Sequence, residues 1–369
     1  MPLSPTIPAL APIRADADRL TRVTVCSRPF RAQGPRIEAE QVGSKLVVHN
    51  YGHGGSGWSL SWGSGTIALD LALAGRDPST TDIAVIGCGA MGLTSAILAQ
   101  QAGVRSVTIY AKDRPTQSRS FVATGSWTPF SRVALKRSAP TTFPDQWDAM
   151  VRTSWNRYQR LLSQASAPVA FNDRYYLSDI HPDAAEQLKI DTDPIGFVNF
   201  RDRLPDLAPQ VTDFAPGTHP FAATWVRHRS EMMFNITALV EQLTEQFHQN
   251  GGKFVVREFH SPAEFAQLPQ PVILHCTGYA ARTLFGDESL IPVRGQIAWL
   301  PAQPKINYGL HFDNLGVLGR RDGIVVQLNA QGEASGWNDP SEQPDDAEAA
   351  TAIRMLQNLY ARMNPASAE

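Results

Sequence analysis

Short apolar stretches dominate the first hundred residues, and their spacing separates strands from helices. Residues 21–26, Thr-Arg-Val-Thr-Val-Cys, alternate apolar and polar like a half-buried strand. Pro29 is expected to end it, since proline donates nothing to a strand ladder. Ile37–Ala39 and Lys45–His49 read as two short strands joined at Gly43-Ser44. Asp82-Ile83-Ala84-Val85-Ile86 is a continuous apolar run of the buried parallel kind. The glycine-rich stretch 52–57 leads to a helix expected from about Thr66, closed by Gly75 to Ser79. A second helix is expected from Ala90 to Gln101, ended by Gly103, followed by a strand over Ser106–Tyr110. Strand, helix and strand together make a βαβ unit.

Farther along, Trp147, Val151, Trp155, Tyr158, Leu161 and Leu162 mark one side of an amphipathic helix over Asp145–Ala165. Residues 169–260 read as a strand-rich insertion with proline-rich connections and a helix over Asn235–Gln249. Strands follow at Lys253–Arg257, Pro271–Cys276, Val293–Leu300, around Gly316-Val317-Leu318 and at Ile324–Leu328. Asp345–Met363 is a capped helix with Ala350, Ile353, Met355, Leu356 and Tyr360 apolar.

The chain has 369 residues, enough for two domains or an intertwined pair. Its net charge of -2 and scattered basic residues give no reason to expect nucleic acid or an anionic membrane as partner. Cys26, Cys88 and Cys276 are too far apart and too few for a disulfide framework, which fits a reducing, cytoplasmic setting. No apolar run approaches the length of a membrane span. Met1–Leu20, with four prolines and no charged start before an apolar block, is expected to be a loose arm and not a secretory signal. The terminal Ser-Ala-Glu is not a peroxisomal address.

Gly87-x-Gly89-x-x-Gly92 joins the apolar strand to its helix. The first glycine allows the turn, the second admits a pyrophosphate, and the third lets helix pack on strand; this points to a dinucleotide. Asp113, about twenty residues beyond, either accepts ribose hydroxyls or is a solvated loop carboxylate. Lys112 beside it is suited to a phosphate, which keeps NADP as an alternative. The polar loop Ser118-Arg119-Ser120 and Gly125-Ser126-Trp127 reads on its own as ordinary loop. Cys276-Thr277-Gly278 closes a buried strand, where ligands of open α/β sheets sit, with Cys276 a packed small apolar residue. Arg28, by residue type alone, is a surface arginine with the right fork for a carboxylate. His49 and His53 lack acidic or thiol neighbours at ligand spacing, so no metal is expected.

Taken together, these pieces resemble the D-amino-acid oxidase family in a rotated order. Residues 48–63, Val-His-Asn-Tyr-Gly-His-Gly-Gly-Ser-Gly-Trp-Ser-Leu-Ser-Trp-Gly, are similar to that family's C-terminal signature. Arg28-Pro29-Phe30-Arg31 and Pro35-Arg36-Ile37-Glu38 resemble its arginine–proline segment, and Ile83–Tyr110 its N-terminal unit. Ala123–Phe130, His275–Gly278 and Arg294-Gly295-Gln296-Ile297 resemble its later markers. The likeness runs from about Arg22 to Met363 and implies a circular permutation, with new termini between the last helix and the first strand. The implied fold is mixed α/β: an FAD-binding Rossmann-like domain interleaved with a strand-rich substrate domain. Its expected boundaries are an arm over 1–21, FAD-binding parts over 22–130 and 235–292, and substrate-domain parts over 131–234 and 293–369.

The resemblance implies noncovalent FAD. Its expected contacts are Gly87, Cys88, Gly89, Ala90, Met91, Gly92, Lys112, Asp113, Ser118, Arg119, Ser120, Gly125, Trp127, Phe259 (through its backbone), Thr277 and Gly278, with Gly54, Gly55, Ser56, Gly57, Trp58 and Ser59 against the isoalloxazine. Arg28 falls on the substrate-carboxylate arginine and Gly55 on the glycine whose carbonyl faces the amine. The family's tyrosine-bearing lid is shortened here to Asn307–Asp313, where Tyr308 or His311 stands in for its tyrosine. The implied reaction is oxidative deamination of free D-amino acids, with O2 as second substrate and H2O2 as product, by a monomer or homodimer. A flavin dehydrogenase, an oxidase of glycine, N-methyl or L-amino acids, and a non-catalytic flavoprotein remain the alternatives.

Overall fold

A computed structural model describes residue 7, residues 10–191 and residues 193–363. In chain order the strands and helices are β1 (Arg22–Arg31), β2 (Arg36–Val42), β3 (Lys45–Tyr51), α1 (Gly57–Leu73), β4 (Asp82–Ile86), α2 (Ala90–Gln101), β5 (Ser106–Ala111), α3 (Phe143–Gln159), β6 (Val169–Ser178), α4 (Pro182–Asp191), β7 (Val211–Phe214), β8 (Trp225–Phe234), α5 (Ile236–Gln249), β9 (Lys253–Val256), β10 (Val272–His275), α6 (Ala281–Leu284), β11 (Leu290–Leu300), β12 (Tyr308–Phe312), β13 (Leu315–Arg320), β14 (Gly323–Leu328) and α7 (Asp346–Ala361).

They build two sheets. The six-stranded sheet runs β2-β3-β10-β4-β5-β9 and is parallel except for the β2–β3 hairpin at its edge. β4 and β10 lie inside it and are almost wholly buried, which is why their sequences are continuous apolar runs. α2 is buried along ten of its twelve residues, between sheet and neighbouring helices, and so carries no polar face. α5 shows the ordinary amphipathic spacing, burying Ile236, Leu239, Val240, Leu243 and Phe247.

The eight-stranded sheet runs β1-β11-β14-β13-β12-β6-β8-β7, antiparallel except for the β12–β6 pair. Alternation of side chains divides it into two faces. Tyr175, Leu177, Val226, Tyr308, Leu310, Val317 and Val326 form an apolar back face, covered by Ala349, Ala352, Ile353 and Leu356 of α7. The opposite face looks toward the six-stranded sheet.

Three expectations need correction. Pro29 does not end the first strand; it lies within β1, opposite Pro292. β1 is an edge strand, where a missing donor costs no ladder bond. α1 begins at Gly57, nine residues before the expected Thr66. Its first turns are rich in glycine and serine because they are wedged against other backbone. A Cβ at Gly63 would lie 2.2 Å from the Met150 carbonyl oxygen, and one at Gly65 2.9 Å from Leu98. The serines are satisfied within the core, Ser61 by Tyr158 and Ser64 by Asn50. The arm is also packed where it is described: Ile13 and Ala15 are buried in the back-face cluster, and Tyr308 donates to the Ala11 carbonyl at 2.6 Å. Apolar residues at 10, 11 and 13 give that segment something to bury. Among the described residues no helix is long and apolar enough to cross a membrane.

Candidate active site

A cavity of about 1700 Å³ lies between the two sheets. One wall is the carboxyl edge of the parallel sheet: Tyr51 to Gly55 after β3, Gly89 to Met91 after β4, and Cys276 and Gly278 after β10. Strand ends of this kind are the usual ligand side of open α/β sheets. The other wall is the front face of the eight-stranded sheet, with Arg28, Gly295, Ile297, Arg174, Tyr176, Arg229, Glu231 and His311. The segment from Arg119 to Arg132 closes one side.

The glycine turn has the form that a dinucleotide needs. Gly87 has φ +105°, and a Cβ there would meet the Cys276 carbonyl oxygen at 2.5 Å. A Cβ at Gly92 would stand 2.0 Å from the Gly87 carbonyl oxygen, so this glycine sets how closely α2 packs on β4. Gly89, at the mouth, is crowded only by Ser120, whose Oγ accepts from the Ala90 N–H at 3.0 Å. The residues present therefore fit a flavin dinucleotide: a bare cradle, the start of a long helix and a large adjoining cavity.

The loop after β5 and the segment after β3 are tied together. Trp58 Nε1 donates to the Ser120 carbonyl at 2.9 Å, and Ser56 Oγ donates to the carbonyls of Thr128 and Ser131 at 3.0 and 2.8 Å. Thr128 N–H donates to Ser59 Oγ at 2.9 Å. Trp127 packs edge-on against Trp155, Tyr158 and Phe234. The 118–127 loop, unremarkable as sequence, is thus part of the cavity wall. Two buried histidines anchor the strand ends behind it. His49 Nδ1 lies 2.8 Å from His275 Nδ1, and His53 Nε2 lies 2.7 Å from Ser64 Oγ. Burial holds His49 down to about 4 and His53 down to about 3, so both are neutral at pH 7.

Of the expected site residues, Arg28, Gly54, Gly55, Gly57, Trp58, Ser59, Gly89, Ala90, Met91, Arg119, Ser120, Gly125, Trp127 and Gly278 line the cavity. Gly87, Cys88, Gly92, Ser56 and Thr277 stand behind it, shaping its backbone. Cys88 Sγ bonds the Asp113 carbonyl at 3.1 Å, burial pushes its thiol up to about 12, and Thr277 Oγ1 meets His275 Nε2 at 2.6 Å. Ser118 turns its hydroxyl to the Pro115 carbonyl. Lys112, exposed, faces Glu258 at 3.8 Å. Lys112 and Asp113 do not line the cavity, and Phe259 packs in a separate cluster with Tyr110 and Phe265.

Tyr308 requires a correction. It points to the back face, 1% exposed, with its hydroxyl 2.6 Å from both the Ala11 carbonyl and the Tyr360 hydroxyl. The region expected to be a shortened lid is strand β12, and strand parity sends Tyr308 away from the cavity. His311, three residues on, faces the cavity and stacks on Tyr176 with ring centroids 4.6 Å apart. Tyr176 in turn donates to Glu231 at 2.9 Å.

Arg28 lies on the cavity side of β1, its Nη1 donating to the Arg294 carbonyl at 3.1 Å. Three further residues were missed from sequence. Arg132, buried at φ +49°, donates Nε to the Glu333 carbonyl at 2.7 Å and pairs Nη1 with its carboxylate at 3.1 Å. Burial lowers it to about 10; Glu333 opposes that shift and Arg28 adds to it. Ser131 stands over Gly55, where a Cβ would lie 2.7 Å from its Oγ. Arg174 occupies the middle of the front face, buried. The sequence around them offers only three basic residues close together, Arg132, Lys136 and Arg137.

Comparison with known proteins gives the family and a related fold. The family model described as "FAD dependent oxidoreductase" (DAO) matches residues 82–368. The chain is 25% identical over 285 residues to the D-amino-acid oxidase of Rubrobacter xylanophilus, covering 76% of this chain and 78% of that one. It is 28% identical over 115 residues to a D-amino acid oxidase of Dugesia ryukyuensis; that alignment spans 31% of this chain and about a third, 34%, of the relative's length. In fold it resembles glycine oxidase from Geobacillus kaustophilus, with a TM-score of 0.54 at 12% identity, covering 78% of this chain and 80% of that one.

Proposed function

The chain belongs to the FAD-dependent oxidoreductase family, and from that premise we propose that it is an oxidase of free amino acids, most simply of D-amino acids. Its cofactor is FAD, which removes the NADP alternative raised by Lys112.

The observation that carries the reading is the setting of Arg28. It stands in the same cavity as the Gly89–Met91 turn, and its one acceptor among the described residues is a backbone carbonyl. A guanidinium left without a carboxylate partner beside a flavin site is suited to bind one bidentately from solution. Arg28 holds the substrate's α-carboxylate, and the carbonyl of Gly55 accepts from its amine. Ser131, packed over Gly55, keeps that peptide in place. The apolar and aromatic lining from Trp127, Phe130 and Ile297 excludes water from the reacting carbon. Bound FAD supplies the redox chemistry: a hydride equivalent leaves Cα, the imine hydrolyses to oxo acid and ammonia, and O2 is reduced to H2O2. An amine that enters neutral needs no side-chain base, so the protein's part is to position and desolvate.

The early place of residues 48–63 supports reading the fold as circularly permuted. The family match starts at β4, while β1 completes one sheet, β2 and β3 complete the other, and α1 packs beside α2 from the amino-terminal side. The α1–β4 connection, residues 74–81, is short enough to be a joining loop.

The test is anaerobic reduction of the flavin by a panel of D- and L-amino acids, glycine and N-methyl amino acids, followed by peroxide yield in air. Bleaching by D-amino acids with stoichiometric peroxide is expected. Bleaching without peroxide makes the protein a dehydrogenase, and no bleaching by any amino acid overturns the proposal.

A further inference from the structure

The cavity is lined by seven arginines: 28, 119, 132, 174, 201, 227 and 229. Among the described residues five of them are matched by carboxylates. Arg119 faces Glu342, Arg132 faces Glu333, and Arg201 and Arg229 face Glu186. Arg227 is held by Asp183, Glu186 and Asp213. Arg28 and Arg174 make no ion pair with any described residue. The proposed function assigns Arg28 an incoming carboxylate. Arg174 has no assignment, and it is the more deeply buried, at 1% exposure.

Its surroundings show a guanidinium held in place and not discharged. Arg174 stands at the middle of β6 and lies over Gly309 of β12, where a Cβ would be 2.7 Å from its Cδ and 2.9 Å from Nη1. Nη2 donates to Ser126 Oγ at 3.3 Å, while Nε is buried with no hydrogen-bond partner. The groups on the same face do not neutralise it. Arg229, directly across on β8, is another cation, committed to Glu186 at 2.9 Å. Glu231, two residues further along β8, accepts the Tyr176 hydroxyl and lies outside ion-pair distance of Arg174. His311 is occupied in stacking on Tyr176. A buried cation with an orphaned N–H is costly unless an anion completes it. Ser126, its one side-chain partner, belongs to the loop beside the cofactor cradle, so the completing group enters the substrate space.

We infer that Arg174 receives a second anionic group of the substrate, so that the site selects acidic, dicarboxylic amino acids over neutral ones. This rests on the reading in which Arg28 takes the α-carboxylate. The two uncommitted arginines of the cavity then clamp the two ends of one molecule, and the paired arginines around them form its fixed walls. Charge-assisted contacts of this kind change affinity by about one to two orders of magnitude.

Succinate and butyrate test this without turnover, because they share a carbon chain and differ by one carboxylate. Binding to the FAD-loaded protein is read from perturbation of the flavin spectrum. Succinate is expected to bind the native protein at least about tenfold tighter than butyrate. In Arg174→Met that advantage is lost, and Arg174→Lys restores part of it. In turnover, Arg174→Met lowers the ratio of kcat/KM for aspartate and glutamate to kcat/KM for alanine by about a hundredfold. Equal binding of succinate and butyrate by the native protein overturns the inference, whether or not the variants fold. An unchanged acidic-to-neutral ratio in Arg174→Met overturns it too, even where neutral amino acids reduce the flavin and the oxidase reading stands. If no amino acid reduces the flavin while succinate is still preferred through Arg174, the anion site stands and the oxidase reading falls.

Discussion

The Arg28 guanidinium lies directly over the α-carbon of Gly295 on the neighbouring strand. A methyl group at 295 would come within 2.4 to 2.6 Å of its Nη2, Cζ and Nη1. Cys26 is the backbone partner of Gly295, so Arg28 reaches diagonally across the β1–β11 pair to rest there, and its Nη1 finds the carbonyl of Arg294. Gly295 is therefore a positioning residue for the carboxylate clamp.

Gly295→Ala should displace the guanidinium and leave the flavin bound. Misplacement of a positioning group by about 1 Å costs on the order of 100-fold in rate. We expect kcat/KM for the best amino acid to fall by about that factor, mainly through KM, with normal flavin content. Arg28→Ala should produce the same KM-dominated loss. Native kinetics in Gly295→Ala would show that Arg28 is not the clamp.

Gly92→Ala probes the other end of the cavity. Its methyl would be driven against the Gly87 carbonyl, and both partners are backbone. Overpacking of this kind costs about 1–3 kcal/mol, and here it also pushes α2 off β4 and opens the cradle. The variant should lose FAD on gel filtration and melt lower than the native holoprotein. Full FAD retention would be the contrary result.

The contrast between these two glycines shows what was legible in the chain. The strand–Gly87-x-Gly89-x-x-Gly92–helix unit could be read because each glycine has a local reason within a few residues. Arg28 could be read only through the likeness of its flanking sequence, since a lone arginine carries no signal of a cavity. Arg174 and Arg132 had not even that: their meaning comes from strands and loops far off in sequence, Gly309 for one and Glu333 for the other. The start of α1 was hidden because its glycines answer to Met150 and Leu98, not to helix propensity. Tyr308 was placed on the wrong side because its segment was taken for a lid, and only strand register decides which way it points.

Stability should fall with acid through the buried histidines. His53 is neutral and held down to about 3 by burial, against about 6.5 when unfolded. The unfolded chain therefore takes up the proton first, and stability present above pH 6.5 is lost as pH drops toward 3. At pH 5 this single group costs about 2 kcal/mol relative to pH 7. Denaturant titrations at the two pH values measure it. His53→Gln, which keeps an amide near Ser64, should flatten the dependence by about that amount, and an unaltered slope would assign the acid sensitivity elsewhere.

Gly63→Ala tests the helix that the sequence pattern concealed. The added methyl meets the carbonyl, α-carbon and oxygen of Met150 at 2.2 to 2.6 Å, so α1 and α3 must separate. The Gly63 N–H bond to Ser154 Oγ, 2.9 Å, lies in the same contact and weakens with it. A loss of about 1–3 kcal/mol is expected in chemical denaturation, larger than the small gain alanine brings to an exposed helix position. A stabilised variant would mean that the two helices are not in backbone contact.

Tyr308→Phe separates a structural tyrosine from a catalytic one. The change deletes a hydroxyl that bonds the Ala11 carbonyl and Tyr360, and leaves the ring in the back-face core. Removing one partner of such buried bonds costs about 1–3 kcal/mol. The cavity, on the other side of the sheet, is untouched. The variant should therefore melt several degrees lower with kcat and KM within about twofold of native for every substrate. A large fall in kcat at full stability would return Tyr308 to the active site and contradict the register of β12 against β6 and β13.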